Sequence, residues 1–511
     1  MKDKTPTPIP CKKCGKPSTR LFPGHCDECA LAMLVRLQDE LKGLPTAAID
    51  LGHNDLGNME RLIMRYGDKF RFTRATGWLY WAGTHWALDE TGKINEASYE
   101  TAERIKGETI FVKGTTTEDE KIRESIRKWC NASKASAKLK AMVNLAESDS
   151  KVSVLVGSFD NDTNLFNCAS GTLNLRTFEL RAHNPDDLLT NCSPVAYAPD
   201  APCPRWERFV LEIMDGSREM ADFLQRAVGY SMTGLTIEQC LFILWGNGSN
   251  GKSTFIEVLR HVFGTYSRAS DFHTFVAKKW GVQSGPNSDI AKLRGARFVS
   301  ATEGEQGQKL AESLIKQLTG GDTISACFKF KEPFEFKPQL KLWLSTQHKP
   351  EIAGTDEGIW RRIRLVPFNV HFEQDTTLQD ILLAEAPGIL RWAVEGLKQW
   401  REHGLMEPQA VVDATTGYRA EEDVMLRFVQ SDYLEIGGEH KCGAHDLYET
   451  YKKWAHNNHE EELSERKFSD SMKAHGYKKL PRTTKGIQYA GIRIANQFFH
   501  DQRTMQDDES M

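Results

Sequence analysis

The sequence predicts an α/β protein built around a parallel sheet flanked by helices, with smaller modules on either side. Three observations predict it. Short apolar runs recur, CLFILW (240–245), RFVSAT (297–302) and QLKLWLST (339–346), and runs of that length between polar turns read as buried parallel strands. Helical patterning follows the first of them in KSTFIEVLRHVFG (252–264). Between that strand and that helix stands WGNGSNGKST (245–254), with Gly246, Gly251, Lys252 and Ser253 at the spacing G-x-x-x-x-G-K-[ST] of a phosphate-binding loop.

A chain of 511 residues is too long for one core and suggests about three or four domains. The patterns divide it at 1–35, 36–150, 151–235, 236–375 and 376–495, with a flexible tail over 496–511. No apolar run approaches the roughly 20 residues of a membrane span. MKDKTPTPIP lacks an apolar signal core, so the expected setting is cytoplasmic and no membrane partner is expected. A formal net charge of -4 excludes a globally basic nucleic-acid coat and leaves room for a local basic channel.

The first module is CKKCGKPSTRLFPGHCDEC. Cys11, Cys14, Cys26 and Cys29 form two C-x-x-C knuckles. Each sets two thiolates on one side of a turn, and two knuckles complete a tetrahedron around Zn²⁺. The alternative is a pair of redox dithiols, but the βαβ context these usually have is missing. The other seven cysteines are scattered and read as reduced thiols.

A helix over 30–44 (ALAMLVRLQDELKGL) leads to a small α+β domain. Its strands, in RFTRATGWLYWAGTHWAL, are rich in Trp, Tyr and Phe and broken at Gly77 and Gly83. These aromatics are either a base-stacking platform or the core of a small sheet; the second is the commoner arrangement. Charged helices run to 148. FNCASGTLNLRTFELRAHNPDDLLT then reads as a β-hairpin, and WERFVLEIMDGSREMADFLQRAVGYSMTGL as helical.

At the loop, backbone N–H groups of Gly246, Asn247, Gly248, Ser249, Asn250 and Gly251 and the helix N-terminus can cradle the phosphates of ATP. Lys252 reaches the β- and γ-phosphates, the Ser253 hydroxyl ligates Mg²⁺, and Thr254 is secondary. The strand RFVSAT ends in Glu303 and Glu305, and a carboxylate there can hold the Mg²⁺ shell and polarise the attacking water. Glu303 comes first off the strand; Glu305 either shares the task or faces solvent. Gln347, just after LWLST, is either a γ-phosphate sensor or a turn residue. Arg361 and Arg362 (GIWRRIRLVPF) are either a surface strand edge or include a finger that reaches a neighbour's ATP.

Taken in order, GNGSNGKST, RFVSATEGE, IKQLTGGDTIS, LWLSTQHKP and GIWRRIRLVPF resemble the motifs of a superfamily 3 helicase of the AAA+ class. The resemblance is specifically to the ATPase module of phage, plasmid and poxvirus primase–helicases. It extends back through TLNLRTFELRAHNPDDLLT and FLQRAVGYSMTGLTIEQ, over roughly 160–375. It implies that Lys252 and Ser253 bind ATP and Mg²⁺, that Glu303 is the acidic residue of the second nucleotide motif, and that Gln347 is the sensor. It implies that Arg362 best fits the trans-acting finger, and that 316–331 forms a DNA-tracking hairpin tipped by Lys329, Phe330 and Lys331. The chain departs from the family with Gln347 where Asn is usual, and with Cys327 where many members carry Arg. In a strand, Lys329 and Lys331 would share one face, with Phe328 and Phe330 on the other; the alternative is an ordinary amphipathic strand.

Downstream, three helices (YRAEEDVMLRFVQSDYLE, HDLYETYKKWAHNN, SERKFSDSMKAHGY) precede KKLPRTTKGIQYAGIRIA, the pattern of a winged helix. Lys478, Lys479, Arg482 and Lys485 would lie on its wing or on a solvated loop. The function expected from the resemblance is an ATP-driven replicative DNA helicase of a phage or other mobile element, in a bacterial host. It would be a homo-oligomeric ring, a hexamer, acting 3′ to 5′ on single-stranded and duplex DNA beside a primase or other replication proteins. The alternatives are a bifunctional primase–helicase, which needs a polymerase fold that no convincing D-x-D or D-x-E strand supplies here, and an ATP-switched origin-binding initiator.

Overall fold

The computed structural model describes residues 51–277, 287–302, 307–352, 357–460, 462–484 and 486–495. The four knuckle cysteines, the helix expected over 30–44, Glu303, Glu305, Lys485 and the tail lie outside them. The chain divides into two compact units, Met1–Asn161 with Pro185–Thr190 and Asp162–Asn184 with Asn191–Met511.

In the first unit, helix α1 (Asp55–Tyr66) starts where the Asn54 side chain accepts from the Gly57 amide, satisfying an N–H that the helix leaves unpaired. An antiparallel sheet follows, β1 (Phe70–Thr73), β2 (Gly77–Trp81) and β3 (Trp86–Leu88). Helices α2 (Lys93–Arg104), α3 (Thr117–Ser133) and α4 (Ser136–Ala146) complete the unit. The aromatics of this sheet serve its core: Phe70 and Trp86 are buried, while Trp78 and Tyr80 pack against a cluster that includes residues of α1, α2 and α4. Within the unit Arg61 and Glu108 form a buried bidentate pair.

The second unit opens with a three-stranded antiparallel sheet, β4 (Leu165–Cys168), β5 (Gly171–Asn174) and β6 (Leu180–Arg181). The long helical stretch expected over 206–235 is two helices, α5 (Pro204–Ile213) and α6 (Arg218–Met232). Between them Asp215 and Gly216 take φ of 52° and 74°, a left-handed turn that no helix continues through.

Its centre is a five-stranded parallel sheet of β7 (Leu241–Trp245), β8 (Ser267–Ala269), β9 (Phe298–Thr302), β12 (Lys341–Thr346) and β13 (Ile363–Pro367), in the order β13-β7-β12-β9-β8. Helix α7 (Lys252–Phe263) follows β7, α8 (Ser288–Ala291) precedes β9, and α9 (Glu312–Gly320) follows it. A two-stranded excursion, β10 (Ile324–Ala326) and β11 (Phe334–Phe336), precedes β12, and the short α10 (Glu357–Trp360) precedes β13. Then come α11 (Leu378–Ala384), α12 (Ala386–His403) and α13 (Gln409–Glu422).

One hydrophobic core runs from Phe166 to Val411, joining α5, α6 and α12 to the sheet. It is filled by Trp206, Phe242, Phe255, Phe298 and Trp343 in ring contact, each buried side chain contributing about 1.5–3 kcal/mol. Helices α6 and α12 touch backbone to backbone: a Cβ on Gly229 would lie 2.1 Å from Leu397 N, and one on Gly396 2.0 Å from Gln225 O. At the N-terminal end of the sheet, two buried basic side chains clamp the carbonyls at and just beyond the end of α6. Arg297 donates to Met232 O at 2.6 Å, and Lys341 donates to Thr233 O and Leu235 O. Burial, aided by Arg297, drives the Lys341 ammonium well below its ordinary value.

The C-terminal elements are α14 (Val424–Val429), β14 (Leu434–Gly443), α15 (Ala444–Asn457), α16 (Glu465–Ala474) and β15 (Gln488–Ile494), around a core of Phe428, Tyr451, Trp454 and Phe468. The reading of three helices before the first strand is corrected here. β14 lies between the first two helices and pairs antiparallel with β15. Bridges Lys479–Tyr489 and Thr483–Gly486 bring the basic turn back along β15, leaving Lys478, Lys479 and Arg482 exposed.

Candidate nucleotide-binding site

The phosphate loop leaves β7 at Trp245 and enters α7 at Lys252. Its glycines are required by space. A Cβ on Gly246 would lie 2.2 Å from Phe368 O, and one on Gly251, at φ 85°, 2.5 Å from the Ile213 side chain. Ser249 is also left-handed at φ 56°. The loop is strapped from outside: Phe368 N donates to Trp245 O at 2.7 Å, Phe372 N to Ser249 O at 2.7 Å, and Asn250 Nδ2 to Phe368 O at 3.2 Å. Asn250 is buried and so braces the loop as well as belonging to it.

These constraints shape a cavity of about 300 Å³ lined by Gly248 to Thr254, Thr302, Ser345, Thr346 and Gln347. Lys252 is 5% exposed, and its ammonium donates to Gly246 O at 2.6 Å and Asn250 Oδ1 at 2.9 Å. The α7 N-terminus directs backbone N–H groups toward the same space. A cation, a helix start and a glycine loop around one cavity fit a polyphosphate. The Ser253 hydroxyl fits its divalent cation.

Strand order explains the rest of the lining. β12 lies between β7 and β9, so Ser345, Thr346 and Gln347 sit between the loop and Thr302. The indole N–H of Trp245 donates to Gln347 O at 3.0 Å. Thr302, Ser345 and Thr346 escaped the sequence reading. The available signal was that each is a polar residue at the C-terminal end of a parallel strand, where ligands of open α/β sheets bind.

The arginine pair stands at the opposite end of the sheet, before β13, whose first residue pairs with Leu241 at the start of β7. The length of β7, about 16 Å at ~3.3 Å per residue, separates it from the loop of its own chain. Arg362, the better fit to a finger by resemblance, is buried. Its guanidinium donates to Thr319 Oγ1 at 3.1 Å, to Gln239 Oε1 at 3.3 Å and to Gly358 O. Arg361 is exposed and donates to Gln239 Oε1 at 3.1 Å.

The expectation that residues 328–331 form a strand with the lysines on one face is corrected. β10 ends at Ala326, and 327–333 is a turn with Phe330 at φ 64°. Phe328 stacks on Phe334 with centroids 5.8 Å apart. The tip presents Lys329, Phe330 and Lys331 to solvent, with the Lys329 ammonium 5.0 Å from the Phe330 ring centroid. Cys327 Sγ donates to Lys331 O at 2.9 Å and helps close the turn.

The described cysteines, Cys130, Cys168, Cys192, Cys203, Cys240, Cys327 and Cys442, are free thiols. Among the described residues no cluster suits a metal ion, and no helix is long and apolar enough to cross a membrane.

Two family models match the chain: "D5 N terminal like" over residues 59–215, and "Family of unknown function (DUF5906)" over 244–362. The chain is similar to "Putative helicase L207/L206" of Acanthamoeba polyphaga mimivirus, 27% identical over 59% of this chain and 34% of that protein. It is also similar to "Primase D5" of fowlpox virus, 27% identical over 27% of this chain and 17% of that one. It thus matches about a third or less of these relatives' own length. Among solved structures, the apo C-terminal region of NrS-1 aligns with 83% of this chain and 95% of that one, at 10% identity and a TM-score of 0.45. These matches support, at modest identity, a likeness to D5-type superfamily 3 primase–helicases.

Proposed function

We propose that this protein is an ATP-dependent replicative DNA helicase of a phage or other mobile element, with an AAA+ motor. The observation that carries the reading is the split of the site. Lys252, Ser253, Thr302 and Gln347 gather at one end of the parallel sheet, and Arg361 and Arg362 stand at the other. An arginine so placed can meet ATP only across a subunit boundary, which favours a homo-oligomeric ring, with six subunits as the family resemblance implies. Lys252 and the α7 N-terminus bind the β- and γ-phosphates. Ser253 and Glu303 hold Mg²⁺, and Glu303, with or without Glu305, orients the attacking water. Gln347 senses the γ-phosphate, and an arginine of the neighbouring copy's pair stabilises charge as the phosphoryl group leaves.

Lys329, Phe330 and Lys331 at the hairpin tip hold one DNA strand by phosphate contacts and stacking, without reading sequence. Translocation would run 3′ to 5′, as the resemblance implies. The C-terminal order of helix, strand, two helices and a returning basic arm supports a winged helix that meets duplex phosphates. Cys11, Cys14, Cys26 and Cys29 form a zinc ribbon; metal analysis of the purified protein should find one Zn²⁺ per chain, lost on replacing any two of the four.

Strand displacement tests the reading. The wild type unwinds duplex with ATP and Lys252→Ala does not; unwinding that survives the change defeats the mechanism. The relative named Primase D5 keeps a second reading in view, that of a primase–helicase. Primer synthesis by the purified chain on single-stranded template would establish it.

A further inference from the structure

Gln239 stands two residues before the phosphate-loop strand β7 and has φ 47°, a left-handed backbone that an unbranched polar residue seldom adopts. Such a conformation persists only where its surroundings hold it, and it tends to mark function. Its amide donates to Thr236 O at 3.0 Å, and next to it Leu241 N donates to Arg362 O at 2.8 Å. The turn therefore delivers the chain into β7 and brings the Gln239 side chain against the arginine pair. Its one amide oxygen accepts from both guanidinium groups, at 3.1 Å from Arg361 and 3.3 Å from Arg362. The neighbouring carboxylate, Glu238, is turned away to accept from the Trp400 indole at 2.7 Å.

We propose that Gln239 is a positioning residue: it holds the exposed Arg361 as the arginine that reaches a neighbouring subunit's nucleotide, with the buried Arg362 as the fixed anchor beside it. The inference rests on the reading that ATP is hydrolysed between copies of this chain. An exposed arginine has many rotamers, and an acceptor shared with an immobile second guanidinium narrows them before the neighbour docks. A neutral amide does this without cancelling the charge; a carboxylate would pair with Arg361 and hold it back. Arg362 keeps Thr319 and Gly358 as partners. Thr319 is in the last turn of α9, which leads into the β10–β11 hairpin, so the anchor also joins the finger segment to the hairpin's base.

The test combines Gln239→Gly and Gln239→Glu with Arg361→Ala, measuring Tm and steady-state ATP hydrolysis by the assembled full-length protein. Glycine takes φ 47° without strain, so Gln239→Gly should keep or raise Tm. Its kcat should fall about tenfold, the scale of one charge-assisted hydrogen bond, while KM for ATP stays within about twofold because the loop is untouched. Gln239→Glu should lower kcat at least as far. In the Arg361→Ala background neither change should lower kcat further. Equal losses with and without Arg361 overturn the proposal, as does an unchanged kcat in Gln239→Gly. If Arg361→Ala itself leaves kcat intact, the trans-acting arginine falls and the proposal falls with it.

Discussion

The indole N–H of Trp245 donates to the Gln347 carbonyl at 3.0 Å. The bond ties the last residue of β7 to the first residue beyond β12. Lys349 continues the seam, its ammonium 4.5 Å from the Trp245 ring centroid, 5.5 Å from that of Tyr418 and 2.6 Å from Glu421. With the carbonyl held, the Gln347 amide lines the cavity from a defined place. Gln347→Ala should lower kcat for ATP hydrolysis about 10- to 100-fold with little change in ATP affinity, as expected of a contact made mainly in the transition state. Gln347→Asn keeps the same donor and acceptor one methylene shorter, so ATPase equal to or above wild type supports the sensor role and collapse argues against it. Trp245→Phe keeps the ring for Lys349 and removes the donor; a several-fold fall in kcat is expected, from a hydrogen bond worth about 1 kcal/mol.

In the N-terminal unit, Arg61 and Glu108 are 2% and 1% exposed and meet at 2.7 and 2.9 Å; Arg61 also donates to Leu51 O and Gly52 O. Removing one partner leaves a buried charge or an unmatched donor set. Glu108→Leu should therefore destabilise the unit by about 3–5 kcal/mol, and the double change Arg61→Met with Glu108→Leu should recover much of that. Urea unfolding of both variants checks it: a double variant no more stable than Glu108→Leu would contradict the expectation.

Phe330 is 91% exposed, so no packing is lost with its ring. Phe330→Ala should leave Tm within about 1 °C, since surface changes away from special contacts are nearly neutral. It should weaken single-stranded DNA binding by about 1–3 kcal/mol if the ring stacks on a base. Lys329→Ala and Lys331→Ala should each flatten the salt dependence of DNA binding by a slope of about 1. Fluorescence titrations over a series of salt concentrations read both effects, and unchanged slopes would remove the hairpin tip from the DNA path.

The site was legible where its chemistry is local. Gly246 to Ser253 form one contiguous phrase, and β7, β9 and β12 announce themselves as apolar runs. Position across the sheet was less legible. That Arg362 turns inward to Thr319 while Arg361 faces out depends on α9, more than forty residues away, and no spacing rule encodes it. Gln239 escaped because its left-handed backbone comes from the turn at Thr236, not from a residue type that favours such a turn. β14 was missed because Gly437, Gly438 and three charged residues interrupt its alternation. Its partner β15 lies about fifty residues on, and pairing of that kind overrides local propensity. The hairpin tip misled in the other direction. Alternating Phe and Lys suggested a strand, but Phe328 stacks on Phe334 and the chain turns at Phe330.

At the C-terminus, His475 joins α16 to the start of α14. Its Nε2 is 2.8 Å from Asp423 Oδ2 and its Nδ1 is 2.8 Å from Ser471 O. Both ring nitrogens thus face acceptors, which suits the imidazolium. The hydrogen bond that His475 donates to Asp423 raises the His475 pKa above its ordinary 6.5, against burial and the charge of Arg419. Burial pushes the Asp423 carboxyl up, but hydrogen bonds from His475 and the Leu426 amide outweigh it and leave the group below its ordinary 3.8. For a histidine with a raised folded pKa, the stabilisation is complete below pH 6.5 and is lost as pH rises through the folded value. For a carboxyl with a lowered folded pKa, it is complete above pH 3.8 and is lost as pH falls through the folded value. The pair should therefore support the C-terminal elements most fully between about pH 4 and 6.5 and progressively less above that. Asp423 also caps α14 by accepting from Leu426 N at 2.9 Å, so His475→Gln is the cleaner probe, removing the charge and sparing the cap. Unfolding of the C-terminal elements, followed by hydrogen exchange at α14 and α16, should weaken from pH 6 to pH 8 in the wild type and stay flat in His475→Gln. The same slope in both proteins would show that another group titrates there.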